Sequence, residues 1–234
     1  MSWAAVVVAA GRGTRFGRPK QLVEIAGRPM LAWSIETLAR ISEIGTLVVT
    51  TEPENISDFE AVVAAHAGPL RTRVVRGGEE RQDSVRTALE SLSALDDVPK
   101  FVLVHDGARP MVEAGDVRRG MDVTAPGTGA LLAIPVVDTI KRVDDAGRVI
   151  RTYDRAQLWA AQTPQFASFD DLLRAHRHAQ RAGLRVTDDA ALLENIGLTV
   201  RIVEGRADNF KVTVPADLER AELILRGRAA ARSL

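Results

Sequence analysis

The sequence contains no cysteine, which excludes disulfide bonds and thiolate chemistry and fits the reducing conditions of a cytoplasm. It has no apolar run close to the roughly 18 residues that span a bilayer, and no basic segment precedes its first apolar run. We therefore expect a cytoplasmic location, no membrane segment and no secretory signal. Basic and acidic residues are equal in number, 31 each, so no basic excess indicates a nucleic-acid surface.

Acidic residues are also missing from the start of the chain, where none precedes Glu24. The unalternating apolar run at 4–9 predicts a strand that is buried on both faces of a parallel sheet. A loop with three glycines and four cations follows it: Gly11, Arg12, Gly13, Arg15, Gly17, Arg18 and Lys20. A strand that ends in a glycine-rich loop with several cations and no acidic residue indicates an anion site, and a polyphosphate is the expected anion.

The glycine spacing separates this loop from two common phosphate loops. The glycines fall at the first, third and seventh positions rather than the first, third and sixth, and Pro19 obstructs the helix that should begin there. No Gly-Lys-Ser/Thr follows, so the loop is not a Walker loop. A tight turn with solvated arginines is the alternative, but four cations in nine residues without an acid favour anion binding.

Strand and helix patterns alternate to about residue 135, which predicts an α/β fold with a Rossmann-like, open, mostly parallel sheet and helices on both faces. Ligands of such sheets bind beyond the carboxyl ends of the strands. The segment 138–152 instead predicts a β-hairpin around an Asp-Asp-Ala-Gly turn. We expect one domain over 1–234 with a projecting arm at about 137–158. Because an isolated hairpin is marginal in water, a second subunit is its expected support.

Several polar residues could take part in chemistry or have a simple structural role. Asp106 ends a predicted strand, where it could hold a divalent cation between phosphates or form a turn. Arg109 could be a second anion contact or a surface charge, and the scarce lysine at Lys211 could be a required point charge. We expect His105 to pack beside Asp106, and His176, like its neighbour at 178, to lie on a helix surface.

Taken together, the motifs resemble the 2-C-methyl-D-erythritol 4-phosphate cytidylyltransferase family of the non-mevalonate isoprenoid pathway. The matching segments span nearly the whole chain in order: AAGRGTRFGRPKQ (9–21), GGEERQDSV (77–85), HDGARP (105–110), PVVDTIKR (135–142), DRAQLWAAQTPQ (154–165), TDDA (187–190) and EGRADNFKVT (204–213). The resemblance implies a nucleotidyltransferase fold of the GT-A-like kind. It also implies transfer of CMP from CTP to a sugar-alcohol phosphate, release of pyrophosphate, a Mg²⁺ cofactor and a homodimer.

The resemblance also implies a role for each matching residue. The matches to catalytic positions are Arg15 and Lys20, which would stabilise the transition state, and Arg155 and Lys211, which would position the acceptor phosphate. The matches to nucleotide-binding positions are Ala9, Ala10, Gly11, Gly13, Gly77, Gly78, Ser84 and Asp106, the last also near Mg²⁺. The matches to acceptor-side positions are Arg109, Thr139, Thr163 and Thr187. Of these, Arg109 and Thr139 are expected to come from the neighbouring subunit through the arm.

Alternative functions remain open at this stage. A ribitol 5-phosphate cytidylyltransferase would share the fold and the CTP loop, although the acceptor-side segments at 154–165 and 187–190 favour methylerythritol phosphate. A non-catalytic nucleotide-binding domain would keep the fold alone. The joint presence of five charged matches speaks against it: Arg15, Lys20, Asp106, Arg155 and Lys211. A Rossmann dehydrogenase is disfavoured by the glycine spacing.

Overall fold

A computed structural model describes residues 2–11 and 19–231 of the chain. Its centre is a mixed sheet of seven strands, which in chain order are β1 (Trp3–Val8), β4 (Ile44–Thr51), β5 (Arg71–Arg76), β6 (Phe101–Asp106), β7 (Thr128–Pro135), β10 (Trp159–Ser168) and β11 (Thr199–Glu204). Two short hairpins lie outside the sheet: β2 (Glu24–Ile25) with β3 (Arg28–Pro29), and β8 (Lys141–Val143) with β9 (Val149–Thr152). The prediction of an open, mostly parallel sheet with a separate hairpin is confirmed.

The strand order of the sheet is β11-β7-β10-β6-β1-β4-β5. β1 pairs in parallel with β4 on one side and β6 on the other, so the first apolar run of the sequence becomes a central strand. β10 alone is antiparallel, to both β6 and β7. The remaining strands therefore end at one edge, and the loops that leave them there lie side by side.

Helices cover both faces of the sheet, as predicted. They are α1 (Met30–Ala39), α2 (Ile56–His66), α3 (Arg81–Ser93), α4 (Ala114–Asp122), α5 (Phe169–Ala182), α6 (Asp189–Asn195) and α7 (Pro215–Ala231). Successive residues of β1 point to opposite faces: Ala5 and Val7 join the core under α1, α2 and α4, whereas Ala4 and Val6 join the core under α3, α5 and α6. α7 packs on a smaller third core with the β2–β3 hairpin and the start of α1.

The strand pattern does not reveal β10, which is the main difference between expectation and structure. Its sequence WAAQTPQFAS contains two glutamines and a proline, and proline removes a donor from a strand. The structure accommodates Pro164 where the pairing of β10 with β7 shifts register, between Ala161 and Gln165. The polar residues of this interruption lie beside β6, at the same edge of the sheet as Asp106.

The predicted hairpin of the arm is present, and its strands are exposed to solvent throughout. Its turn is held by Asp144, whose carboxylate accepts hydrogen bonds from the backbone N–H groups of Ala146 and Arg148. Apolar side chains nearby are exposed, including Val137 at 78% and Val149 at 60%. Throughout the described residues, no helix is both long and apolar enough to cross a membrane.

We predict that Gly120→Ala destabilises the protein, because a Cβ at this buried position of α4 would overlap the ring of Phe166 on β10. Overpacking of this kind costs about 1–3 kcal/mol, which a urea unfolding curve would measure. Gly115→Ala in the same helix is the matched control, because its Cβ meets nothing within 4 Å. We expect the control to be neutral or slightly stabilising. Equal stability of the two variants would contradict the tight packing of α4 against β10.

Candidate active site

A cavity of about 730 Å³ opens at the carboxyl edge of the sheet, where the loops after β1, β4, β5 and β6 meet. Its lining includes the predicted catalytic residue Lys20 and six of the eight residues that the resemblance assigns to nucleotide binding: Ala10, Gly11, Gly77, Gly78, Ser84 and Asp106. Ala9 is buried at the end of β1, where its N–H donates to Thr50. The expected contacts of Gly13 and Arg15 lie outside the described residues.

The two glycines after β5 are required by close packing at the cavity wall. A Cβ on Gly77 would overlap Ala10 and lie 2.9 Å from Ser84 Oγ, and a Cβ on Gly78 would overlap Asp83. The buried Ser84 hydroxyl accepts a hydrogen bond from the Gly78 N–H at 3.0 Å and donates to Glu80 O at 3.1 Å. The serine therefore fixes the backbone of the glycine pair against the start of α3.

The lysine that follows the glycine loop connects the first cavity to a distant segment. Lys20 Nζ donates to Val212 O at 3.0 Å, across 192 positions of sequence. Val212 is fully buried and follows Lys211, which lines the same cavity. The base of the loop and the Lys211 segment thus share one wall.

Asp106 ends β6 and is the centre of an ionic cluster. Its Oδ1 lies 3.0 Å from Arg81 Nε, and its Oδ2 lies 2.9 Å from Lys211 Nζ and 3.8 Å from Arg109 Nε. Burial by itself would raise the pKa of the Asp106 carboxyl, but the charges of Arg81, Lys211 and Arg109 outweigh it and hold that pKa well below its usual range. Asp106 is therefore ionised at neutral pH.

A second, smaller cavity of about 220 Å³ lies on the other side of this cluster. It is lined by three of the predicted acceptor-side residues, Arg109, Thr163 and Thr187. Arg81, Asp106 and Lys211 line both cavities. The structure therefore brings the predicted nucleotide side and acceptor side together across one carboxylate.

Hydrogen bonds from β10 support the second cavity. Thr163 Oγ accepts from the Asp106 N–H at 3.0 Å, so its hydroxyl proton points to His105 Nδ1 at 3.1 Å. His105 Nε2 donates to Arg109 O at 3.1 Å. Burial lowers the pKa of His105 to about 4, so the ring is neutral with both nitrogens engaged. The prediction that His105 packs beside Asp106 agrees with its full burial.

The structure corrects the expected origin of Arg109. This residue lies in the loop after β6, outside the arm, and its Nη1 donates to Asn209 O of the same chain at 2.8 Å. The resemblance implies that Arg109 comes from the neighbouring subunit. Because Arg109 follows Asp106 by three residues, its side chain instead reaches the cavity of its own chain. The two matches that belong to the arm region are Thr139 and Arg155. Both are exposed, and neither is among the described residues that line the two cavities.

Sequence reasoning missed three residues behind the cluster. Arg81 binds Asp106 through Nε and a second carboxylate, Asp189, through Nη1 at 2.7 Å. Asp189 Oδ1 in turn lies 3.0 Å from His176 Nε2. The expected surface position of His176 is wrong, because its side chain is fully buried. Helical spacing offered a signal, since His176 falls seven residues after Phe169 on the apolar stripe of α5.

The arrangement suits anions more than a metal cage. Among residues 2–11 and 19–231, no three His, Asp or Glu side chains converge as a protein-only metal site would require. Mg²⁺, however, is commonly held by one or two carboxylates together with substrate phosphates. A single ionised carboxylate between two cation-lined cavities fits that mode, and Asp106 is the residue that would hold the ion. Chemically, the site can receive two phosphate-bearing ligands on either side of Asp106.

A mostly parallel α/β sheet with two cation-lined cavities at its carboxyl edge is the arrangement expected of a nucleotidyltransferase. The crystal structure of 2-C-methyl-D-erythritol 4-phosphate cytidylyltransferase from Thermus thermophilus has a TM-score of 0.77 to this chain at 32% identity, covering 97% of this chain and all (100%) of that one. The family model described as IspD: 2-C-methyl-D-erythritol 4-phosphate cytidylyltransferase matches residues 3–227. The chain belongs to the 2-C-methyl-D-erythritol 4-phosphate cytidylyltransferase family.

Two curated relatives agree with this membership. The 2-C-methyl-D-erythritol 4-phosphate cytidylyltransferase of Prochlorococcus marinus is 41% identical over 226 residues, which cover 96% of this chain and 98% of the relative. The bifunctional enzyme IspD/IspF of Rhodospirillum rubrum is 45% identical over 231 residues. These cover 98% of this chain but 58% of that relative, so the chain spans little more than half of the bifunctional protein.

We predict that the Asp189 carboxylate contributes stability that disappears in acid. Its burial raises the pKa, but Arg81 and His176 outweigh this and lower it to about 2 in the folded chain. A depressed folded pKa stabilises the protein above the unfolded pKa near 4, and this stabilisation is lost as the pH falls toward 2. The stability advantage of the wild type over Asp189→Asn should be about 2 kcal/mol at pH 6 and shrink below about pH 4. A difference that stays constant from pH 6 to pH 3 in urea unfolding would contradict this.

Proposed function

We propose that the chain transfers CMP from CTP to 2-C-methyl-D-erythritol 4-phosphate, giving 4-diphosphocytidyl-2-C-methyl-D-erythritol and pyrophosphate in non-mevalonate isoprenoid biosynthesis. Family membership supports this assignment. The observation that carries it is the shared wall of the two cavities, where Arg81, Asp106 and Lys211 border both. A transfer between two phosphate-bearing substrates needs two anion sites that meet at the reacting phosphorus.

The proposed reaction needs no general base. An oxygen of the acceptor phosphate forms a bond to the α-phosphorus of CTP, while the bond from that phosphorus to the α–β bridging oxygen breaks and its electrons leave with pyrophosphate. A phosphomonoester is largely dianionic at neutral pH, because its second pKa is about 6, so the attacking oxygen carries no proton. His105, the titratable ring nearest the cluster, is buried with both nitrogens hydrogen-bonded and is not proposed as a base.

The obstacle is the repulsion between two polyanions, and fixed cations address it. Lys20 lines the cavity proposed for CTP, and Arg15 belongs to the same loop by sequence. Lys211 borders both cavities, so its ammonium can stabilise negative charge on the acceptor phosphate and on the α-phosphoryl oxygens. Preorganised charges of this kind act by positioning and electrostatic stabilisation of the transition state.

Mg²⁺ completes the proposal as the cofactor. When bound, it would neutralise charge on the CTP phosphates and lower the repulsion of the incoming phosphate. Asp106 would hold it from the protein side, since its ionised carboxylate borders the same cavity as Lys20. Arg81 and Lys211, which contact Asp106, would then either bind the carboxylate together with the ion or contact substrate oxygens.

The nucleotide base is proposed to lie against the glycine pair, Gly77 and Gly78. The absence of side chains there leaves backbone groups exposed to the cavity, and Ser84 fixes their orientation. Because the Ser84 hydroxyl already makes two hydrogen bonds, its proposed contribution to cytosine selection is to hold this backbone.

A homodimer and a cytoplasmic location are also part of the proposal. The arm exposes Val137, Val143, Val149 and Ile150, which is unfavourable unless another surface covers them. Thr139 and Arg155 lie on or beside this arm, and the Arg155 guanidinium donates to Val137 O at its base. We propose that the arm packs on a second copy and that these two residues complete the acceptor site of that copy. Arg109 serves its own chain.

An acceptor comparison tests the proposed activity. Pyrophosphate release from CTP should require Mg²⁺ and should be much faster with 2-C-methyl-D-erythritol 4-phosphate than with ribitol 5-phosphate, because family membership and the acceptor-side segments favour the former. The reverse preference would identify the sister cytidylyltransferase instead. Binding of CTP without pyrophosphate release with either acceptor would leave a non-catalytic nucleotide-binding domain.

Subunit mixing tests the proposed arrangement of the dimer. Arg155→Ala and Lys211→Ala should each lower turnover by roughly two to three decades, as loss of one preorganised donor does. If Arg155 acts in the partner's site, a one-to-one co-refolded mixture of the two variants contains heterodimers with one intact site. The mixture should then regain about a quarter of the wild-type activity.

The matched control replaces Arg155→Ala with Arg109→Ala in the same mixture. Arg109 and Lys211 line the cavity of one chain, so their heterodimer has no intact site and no recovery is expected. Recovery in the control together with none in the test mixture would reverse the assignment of the two arginines.

A further inference from the structure

Arg81 connects two carboxylates, only one of which borders the large cavity. Its Nε contacts Asp106 Oδ1 at 3.0 Å, and its Nη1 contacts Asp189 Oδ2 at 2.7 Å. A planar guanidinium can hold two carboxylates in a fixed relative geometry, which a lysine ammonium cannot do. The position of the Asp106 carboxylate is therefore tied to that of Asp189.

Asp189 is itself fixed from behind. Its remaining oxygen, Oδ1, lies 3.0 Å from His176 Nε2 on α5. Its backbone N–H and that of Ala190 both donate to Gln165 Oε1 on β10, each at 2.9 Å. The side chains of His176 and Asp189 are 0% and 3% exposed, so this support is shielded from solvent.

Burying such a pair is costly, and apolar residues of similar size often give equal or greater stability. The stability that Asp189 contributes in the presence of Arg81 therefore does not by itself explain why a charged pair occupies this position. We propose that Asp189, supported by His176, is a positioning residue for the CMP transfer: it holds Arg81 so that Arg81 fixes Asp106 at the boundary between the two cavities. This inference rests on the proposed function.

The geometry gives the support a definite effect. With Nη1 held by Asp189, the guanidinium presents Nε to Oδ1 of Asp106 and leaves Oδ2 directed at Lys211. Oδ2, which Lys211 contacts at 2.9 Å, is thereby kept at the boundary between the two cavities. Without Asp189, Arg81 would keep its charge but lose its orientation, and Oδ1 of Asp106 would lose a fixed partner.

Kinetics of Asp189→Asn test the proposal. The amide keeps the size of the side chain but removes the charge that holds Arg81. Turnover should fall about 10- to 100-fold, as it does when groups that orient a ligand are removed, while the KM values for CTP and acceptor change much less. Ser168→Ala is the control. It removes the N-terminal cap of α5, and no hydrogen bond joins Ser168 to Arg81. It should lower stability and leave turnover near normal.

Non-additivity separates positioning from a merely structural role. In an Arg81→Lys background the link to Asp189 is already broken, so adding Asp189→Asn should lower turnover by only about 2-fold or less. Full multiplication of the two losses would overturn the proposal.

His176→Gln offers a milder second variant, because its amide can still donate to Asp189. It should fold and lose less turnover than Asp189→Asn. A larger loss would contradict the proposal that His176 acts only through Asp189.

A spectroscopic readout keeps this test separate from the proposed function. The Nε–H resonance of Arg81, identified by its loss in Arg81→Lys, should shift in Asp189→Asn and stay in place in Ser168→Ala. An unchanged resonance in Asp189→Asn would overturn the positioning role whatever the activity. If the wild type transfers no CMP but the Arg81 resonance is shifted in Asp189→Asn, the proposed function is refuted and the link between Asp189 and Arg81 stands.

Discussion

The ion pairs of the Asp106 carboxylate are the interaction on which the rest of this site depends. A carboxylate side chain that is only 10% exposed would be unfavourable at the end of a central strand without compensating charge. Arg81 and Lys211 supply that charge at 3.0 and 2.9 Å. The same cations line both cavities, so the groups that stabilise the buried acid are also those that face the proposed substrates. Stability and proposed catalysis therefore draw on one cluster.

The fold brings this cluster together from distant parts of the sequence. β6 lies between β1 and the antiparallel β10, so the end of β6 meets the end of β1 on one side and Thr163 on the other. Arg81 comes from the start of α3, and Lys211 from the segment that Lys20 contacts through Val212. An antiparallel strand within a parallel sheet thus forms a second cavity beside the usual ligand edge. This arrangement accounts for a site with two compartments.

Much of this could be predicted from the sequence, and the exceptions have physical reasons. The buried strands, the glycine turns and the hairpin depend on local patterns, so the sheet edge and the residues 77, 78, 84 and 106 were predictable in place. β10 was not, because its polar residues and proline follow no strand pattern and its pairing with β6 and β7 is long-range. The burial of His176 depends on Asp189, which approaches it only in the folded chain. The position of Arg109 beside Asp106 of its own chain depends on the geometry of the loop after β6, which the resemblance does not supply.

The central claim is that Asp106 marks the boundary at which two phosphate-bearing ligands meet. The most direct measurement is a crystal structure with 2-C-methyl-D-erythritol 4-phosphate, Mg²⁺ and a CTP analogue that cannot be cleaved between the α- and β-phosphates. The α-phosphorus should lie in the large cavity and the acceptor phosphate in the small one, with Asp106 and Lys211 between them. Occupation of sites that do not adjoin Asp106, by either ligand, would contradict the account.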